Sequence, residues 1–230
     1  MPLVEGLEQG TAEWLQMRIG IVTGSRVADV MAKLKRKDGE AQCRADYKAE
    51  LICERLTGLT YEHYVSPAME WGLQNEIFAR NAYEGAVGDV QLVGFALHSR
   101  INRFGASPDG LVATDGLVQF KCPNTATHIE YIIGGVVPAQ YQWQMLAEMA
   151  CAERQWCDFV SYEPRLPKKL QLFVRRFERD EARIREMESE VEKFLGEADE
   201  AIERLNKSTL VDLDPTLETK LRASIANANG

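Results

Sequence analysis

Several chemistries are missing from this 230-residue chain. Three histidines (His63, His98, His128), with no Gly-x-Ser-x-Gly elbow and no P-loop, leave little for histidine-based catalysis or nucleoside triphosphate hydrolysis. The five cysteines (Cys43, Cys53, Cys122, Cys151, Cys157) are odd in number and contain no C-x-x-C pair, so neither a disulfide framework nor a zinc site is expected. No apolar run is long enough to span a bilayer, and residues 1–6 carry neither a basic region nor an apolar run for export. A reducing cytoplasm and no membrane partner are expected. Positive charge is scarce as well. With 27 Lys and Arg against 35 Asp and Glu, the net charge of −8 argues against a general nucleic-acid coat. An acidic exterior can still hold one basic groove, because the local field decides binding. The densest basic run, residues 33–37 followed by Arg44 and Lys48, reads by itself as a solvated helix end or loop.

What is present is core material. Hydrophobic residues make up 45% of the chain and charged ones 27%, which suits one globular α/β domain with peripheral helices. Helices are expected over residues 11–17 with Thr11 as cap, from 23 to about 34, over 46–56, and from the Ser66-Pro67 start to about 83. Met69, Leu73, Ile77 and Phe78 recur there at helical spacing and read as core, with Glu76 near that face and Arg80 one turn on. Strands are expected over 90–98, 103–106, 156–162 and 170–177, and helices over 127–133, from Pro138 at the first helical position, and from Asp180 to Leu205. Asp214-Pro215 starts a last short helix.

The stretch over residues 105–123 organises the rest. Ser107-Pro108-Asp109-Gly110 carries turn chemistry, and Thr114-Asp115-Gly116 reads as a hairpin turn between short apolar runs. Alternation along the second strand puts Gln119 and Lys121 on one face and Val118, Phe120 and Cys122 on the other. A carboxylate, an amide and an ammonium converging beside a sheet are costly unless they bind something.

This stretch resembles the signature of PD-(D/E)XK nucleases, closest to their phage-lambda exonuclease, or YqaJ-like viral recombinase, branch. Glu13-Trp14 with residues 18–25 resembles that family's phosphate-binding segment, residues 70–76 (Glu-Trp-Gly-Leu-Gln-Asn-Glu) its Trp-Gly-x-x-x-Glu helix, and residues 139–142 its glutamine helix. The resemblance implies a restriction-endonuclease-like core with a central mixed sheet flanked by helices and a long C-terminal helix. It reads as one domain: a helical phosphate-binding part (1–65), a nuclease core (66–178) and C-terminal helices (179–230).

The resemblance also implies a Mg²⁺-dependent 5′→3′ exonuclease, encoded by a bacterium, phage or prophage, that acts on double-stranded DNA ends. It would leave a 3′ tail for a single-strand annealing protein and work as a homotrimeric ring. Two Mg²⁺ ions would be held by Asp109, position 119, the Phe120 carbonyl and Glu76, with Mn²⁺ substituting and Ca²⁺ binding without cleavage. Lys121 would orient the attacking water, and Gln140 would hold a water or a phosphate oxygen. Arg18, Thr23 and Ser25 would hold the 5′-phosphate, for which the helix opening at residues 23–25 also offers its first amides. Met69 would be an apolar wedge between end base pairs. One position departs: the family has Glu where this chain has Gln119. Strongly reduced turnover is therefore expected, through an altered Glu or in a native end-binding module that does not cut. A restriction-type endonuclease is disfavoured, because the Arg18 and Ser25 segment suits a terminus.

Overall fold

The computed structural model describes residues 3–4, 6–34, 39–61 and 66–208. The helix expected at Asp214-Pro215, most of the basic run and His63 lie outside them. Helix α1 (Ala12–Met17) opens on Thr11, whose hydroxyl accepts from the Trp14 amide, and strand β1 (Val22–Thr23) follows. The helix expected to run to residue 34 does not form. A single 3₁₀ turn, Gly24–Arg26, leads into the one-turn helix α2 (Val27–Val30). Val27 and Val30 are spent in the core, and Lys33 then pairs with Glu40 in an isolated β-bridge that draws the chain away.

Helix α3 (Gln42–Thr57) starts earlier than expected and closes on Gly58 at φ 69°. Helix α4 (Pro67–Ala86) has the expected cap, with the Ser66 hydroxyl accepting from the Met69 amide. Its buried face differs from the expectation. Asn75, Ala79 and Tyr83 pack inward, whereas Met69, Leu73, Ile77 and Phe78 are exposed at 56, 77, 51 and 56%. The sheet approaches α4 closely enough that small Ala79 and the flat Tyr83 ring fit beneath it, and the bulky apolar stripe is left outside.

The single strand expected over 90–98 is two strands in different sheets, β2 (Val90–Gln91) and β3 (Ala96–Leu97). A Cβ at the intervening Gly94 would collide with the Leu7 carbonyl, so that backbone approach bends the chain between sheets. After β4 (Phe104–Ala106), β5 (Gly110–Val112) and β6 (Gly116–Lys121) make the expected hairpin, with the positive φ of 51° at Ala113. Gly116 is needed for another reason: the Trp156 ring lies where its Cβ would be. Helices α5 (Thr125–Gly134), capped by Asn124, and α6 (Ala139–Ala152), with Pro138 as N-cap, form the crossover to β7 (Trp156–Tyr162). β8 (Leu172–Glu178) and α7 (Glu181–Lys207) complete the described chain.

The larger sheet has the order β2-β5-β6-β7-β8, with β6 and β7 parallel and the other pairs antiparallel; β1-β4-β3 form a smaller sheet. Alternation along β6 is as expected: Leu117 joins the core against α6 and α7, while Val118 and Phe120 join the core against α4. The mixed sheet, flanking helices and long C-terminal helix agree with the expected architecture. The apolar stripe of α7 is buried in the chain's own core from Ile184 to Ala198, whereas Leu205 at its far end is exposed.

Candidate active site

The site begins where β5 ends. Only Gly110–Val112 pairs with β6, so beyond Val118 that edge of β6 is open, and the Asp109 side chain takes the place of a strand. The Phe120 amide donates to Asp109 Oδ2 at 2.6 Å. In an extended strand the N–H and C=O of one residue point to the same edge, so the Phe120 carbonyl also faces the Asp109 side. Gln119 Nε2 donates to the same Oδ2 at 2.6 Å, and Oδ1 has no hydrogen bond to a described residue. The Lys121 ammonium lies over the Tyr141 ring, 5.2 Å from its centroid. Glu76 lines one cavity with Asp109 and Arg80, and another with Phe120, Lys121 and Tyr141, so it reaches the end of the sheet from α4. Gly72 lines that second cavity with open space where a Cβ would stand.

The carboxyl groups here are governed first by burial. Burial pushes Asp109 up to about 7, with the Lys121 charge opposing and the Glu76 charge adding to the rise. Burial raises Glu76 too, against the pull of Lys121 and Arg80. Two residues outside the expected site, Gln144 (one turn beyond Gln140) and Glu148, complete the network. Gln144 Nε2 donates to Gln119 Oε1 at 2.9 Å and to Glu148 Oε1 at 2.8 Å. Glu148 is 1% exposed, and burial drives its carboxyl well above the usual range. Its signal was a lone carboxylate inside the buried run 145–152 of α6. The structure brings Gln144, not Gln140, onto Gln119. Gln140 is exposed one turn earlier and donates to the Tyr131 hydroxyl at 2.9 Å.

The predicted phosphate residues gather in a cavity of about 510 Å³ lined by Arg18, Thr23, Ser25, Arg26, Tyr47 and Met69, among others. Arg18 stacks on Trp14 at 4.0 Å, and Trp14 in turn donates to Ser107 Oγ and the Gly94 carbonyl, which ties this cavity to the turn carrying Asp109. The carboxylates here are engaged: Glu50 and Asp29 pair with Arg26, and Glu54 accepts from the Gly20 and Tyr61 amides. Burial lowers the Arg18 pKa, against the opposing pull of Tyr47 and Glu54. Of the helix amides expected here, that of Thr23 donates to the Tyr47 hydroxyl, and a 3₁₀ turn stands where the start of a long helix was expected. Arg44 and Lys48 are committed to Glu40 and Glu197. Met69 lines both this cavity and the one holding Lys121 and Glu76, so the two meet at its side chain.

Among the described residues, no three His, Cys, Asp or Glu side chains converge as a ready-made metal cluster. The donor set is mixed: the Asp109 carboxylate with its unbonded Oδ1, the Phe120 carbonyl on the same edge, Glu76, and the Gln119 amide. Hard oxygen donors of this kind fit Mg²⁺. Gln119 fits only in part, because its oxygen turns to Gln144 and its nitrogen to Asp109.

Two crystal structures of LHK-Exo, an alkaline exonuclease from Laribacter hongkongensis, are similar to this chain at 49% identity, with TM-scores of 0.80 and 0.79, over 86% of this chain and 97% of theirs. One of them is a complex with dAMP. A phage-related exonuclease from Haemophilus somnus shares the fold at 14% identity and a TM-score of 0.57, over 80% of this chain and 94% of that one. No curated protein matches the sequence. The YqaJ-like viral recombinase domain matches residues 13–155. With that match spanning the phosphate segment, the Glu76 helix, the β5–β6 hairpin and α6, the chain belongs to the YqaJ-like viral recombinase family.

Proposed function

We propose that the chain is a Mg²⁺-dependent exonuclease that starts at double-stranded DNA ends, degrades the 5′-phosphorylated strand in the 5′→3′ direction and leaves a 3′ tail for a strand-annealing protein. The observation that carries this reading is the junction at Met69 between an anion-suited cavity and a carboxylate–lysine site. The similarity to LHK-Exo, an alkaline exonuclease captured with a nucleoside monophosphate, supports it. The Arg18 fork and the Thr23 and Ser25 hydroxyls hold the terminal phosphate. Met69, exposed at the junction, presses against the last base pair. Asp109, the Phe120 carbonyl, Glu76 and the Gln119 oxygen are the groups that would hold two cations. Such a pair supplies charge neutralisation, a hydroxide-like nucleophile and leaving-group stabilisation when bound. Lys121, its ammonium over the Tyr141 ring, orients the attacking water and favours its deprotonated form.

Gln119 lacks the charge that this position carries in the family, so turnover is strongly reduced. A second reading, a DNA-end-binding module that does not cut, is favoured by the 2.6 Å bond from Gln119 Nε2 to Asp109, which presents an amide donor on the cation side. The exposed apolar residues of α4, with Ile133 in the last turn of α5 and Val136 after it, support assembly into a homotrimeric ring, and light scattering should give a mass near three chains. The activity test uses linear duplex labelled at the 5′ or 3′ end, with and without a 5′-phosphate, beside a closed circle. Release of 5′ label from phosphorylated linear duplex alone is expected. Digestion of the circle, or of 3′ ends first, contradicts the reading.

A further inference from the structure

We propose that Glu148 is a further carboxylate of the cation site, supplying from α6 the negative charge that Gln119 does not supply from β6. The inference rests on the metal-dependent nuclease reading. Four side chains run in a hydrogen-bonded line from the sheet edge into the helix: Asp109 to Gln119 at 2.6 Å, Gln119 to Gln144 at 2.9 Å, and Gln144 to Glu148 at 2.8 Å. Two neutral amides thus bridge two carboxyl groups. Glu148 is 1% exposed, and its Oε2 has no hydrogen-bond partner although it is fully enclosed. An orphaned carboxylate oxygen in the core is costly, so it is retained where something compensates it. No ion pair meets that oxygen among the described residues, and the charges that act on Glu148 are those of the site, Asp109 and Lys121.

A carboxylate held behind a neutral amide still contributes its field to a cation at Asp109, because the enclosed setting screens little. Gln144, with one amide proton on each neighbour, transmits the position of Glu148 to the Gln119 oxygen. The charge is therefore kept while the ligand position is not, which gives cation binding without efficient turnover. Glu148 acts through Gln144 and Gln119, so it is a positioning residue and not one that touches the reacting atoms.

The experiment titrates Mn²⁺ into the full chain by calorimetry, for the protein as it stands, Glu148→Gln, Gln119→Glu and the double variant, with circular dichroism to confirm folding. Mn²⁺ affinity should fall by about tenfold or more in Glu148→Gln, and the same change should cost under about threefold once Gln119→Glu has restored a carboxylate beside Asp109. A purely structural role predicts equal losses in both backgrounds, and that result overturns the proposal, as does unchanged affinity in Glu148→Gln. If Glu148→Gln does not fold, Glu148→Asp and Glu148→Asn, equal in length and different in charge, take its place; equal Mn²⁺ affinities for the two then overturn it. Failure of every variant to bind Mn²⁺ overturns the metal reading itself, whereas binding that ignores residue 148 overturns the Glu148 role alone.

Discussion

The two cavities that meet at Met69 settle their charge in opposite ways. In the one formed by residues 18–26 and α3, Glu50 and Asp29 are answered by Arg26 and Glu54 by backbone amides, while the Arg18 guanidinium lies on the Trp14 face with no carboxylate hydrogen-bonded to it among the described residues. At the open edge of β6 the acidic groups are the more numerous: Asp109, Glu76 and Glu148, all raised by burial, are set beside Lys121 and, at Glu76, Arg80. An anion is called for on one side and a cation on the other. A phosphorylated strand end accompanied by metal ions supplies both, and neither cavity explains the other's charge alone.

Breaking the cation side should have the largest effect. In a chain carrying Gln119→Glu, adding Asp109→Ala or Lys121→Ala should remove digestion of linear duplex by roughly 10²–10⁴-fold, measured as release of 5′ label, because the three groups serve one nucleophile. DNA-end binding in Ca²⁺ should survive, since the phosphate contacts lie in the other cavity. Loss of end binding in Asp109→Ala would merge the two sites into one and undo the comparison.

A smaller effect is expected on the anion side. Arg18→Ala should weaken the preference for phosphorylated over hydroxyl 5′ ends by about 1–3 kcal/mol, the scale of a charge-assisted hydrogen bond, read from competition binding in Ca²⁺. An unchanged preference would take Arg18 out of the site.

The smallest expected effect is on stability. Asp109 keeps its proton to about pH 7 in the folded chain, whereas an unfolded Asp releases it near 4. Between about pH 4 and 7 the native state therefore binds more protons than the unfolded one, and stability falls as pH rises. Glu76 and Glu148 act with the same sign. Carboxylates held low, Glu163 and Glu197 at about 2, act below that window and with the opposite sign. Melting temperature in chelator should decline from pH 5 to 7, and saturating Mg²⁺ should flatten the decline. Equal slopes with and without Mg²⁺ would place no cation at Asp109.

Period-2 alternation made the β6 face legible: Gln119 and Lys121 had to share a side whatever the rest of the fold did. Helical periodicity was less informative. The stripes on α4 and α7 have the same spacing, yet the α7 stripe is buried and the α4 stripe is exposed, because the partner surface decides which face is used. On α4 the inward set was Asn75, Ala79 and Tyr83, spaced by four, and their mixed polarity and size did not announce it. The choice between Gln140 and Gln144 turned on how far α6 enters the site, a tertiary quantity. Glu148 was visible as an anomaly in an apolar run, but its meaning required Gln144 and Gln119 beside it.

The central claim is that position 119 is where a carboxylate completes the cation site. Gln119→Glu tests it most directly, by the Mg²⁺-dependent initial rate of 5′-label release from phosphorylated linear duplex beside the unchanged chain. The side chains are nearly equal in size and differ in charge at neutral pH, so the rate should rise by roughly 10²–10⁴-fold with the fold intact. Full-speed digestion by the chain carrying Gln119, or no gain on the substitution, would contradict the claim.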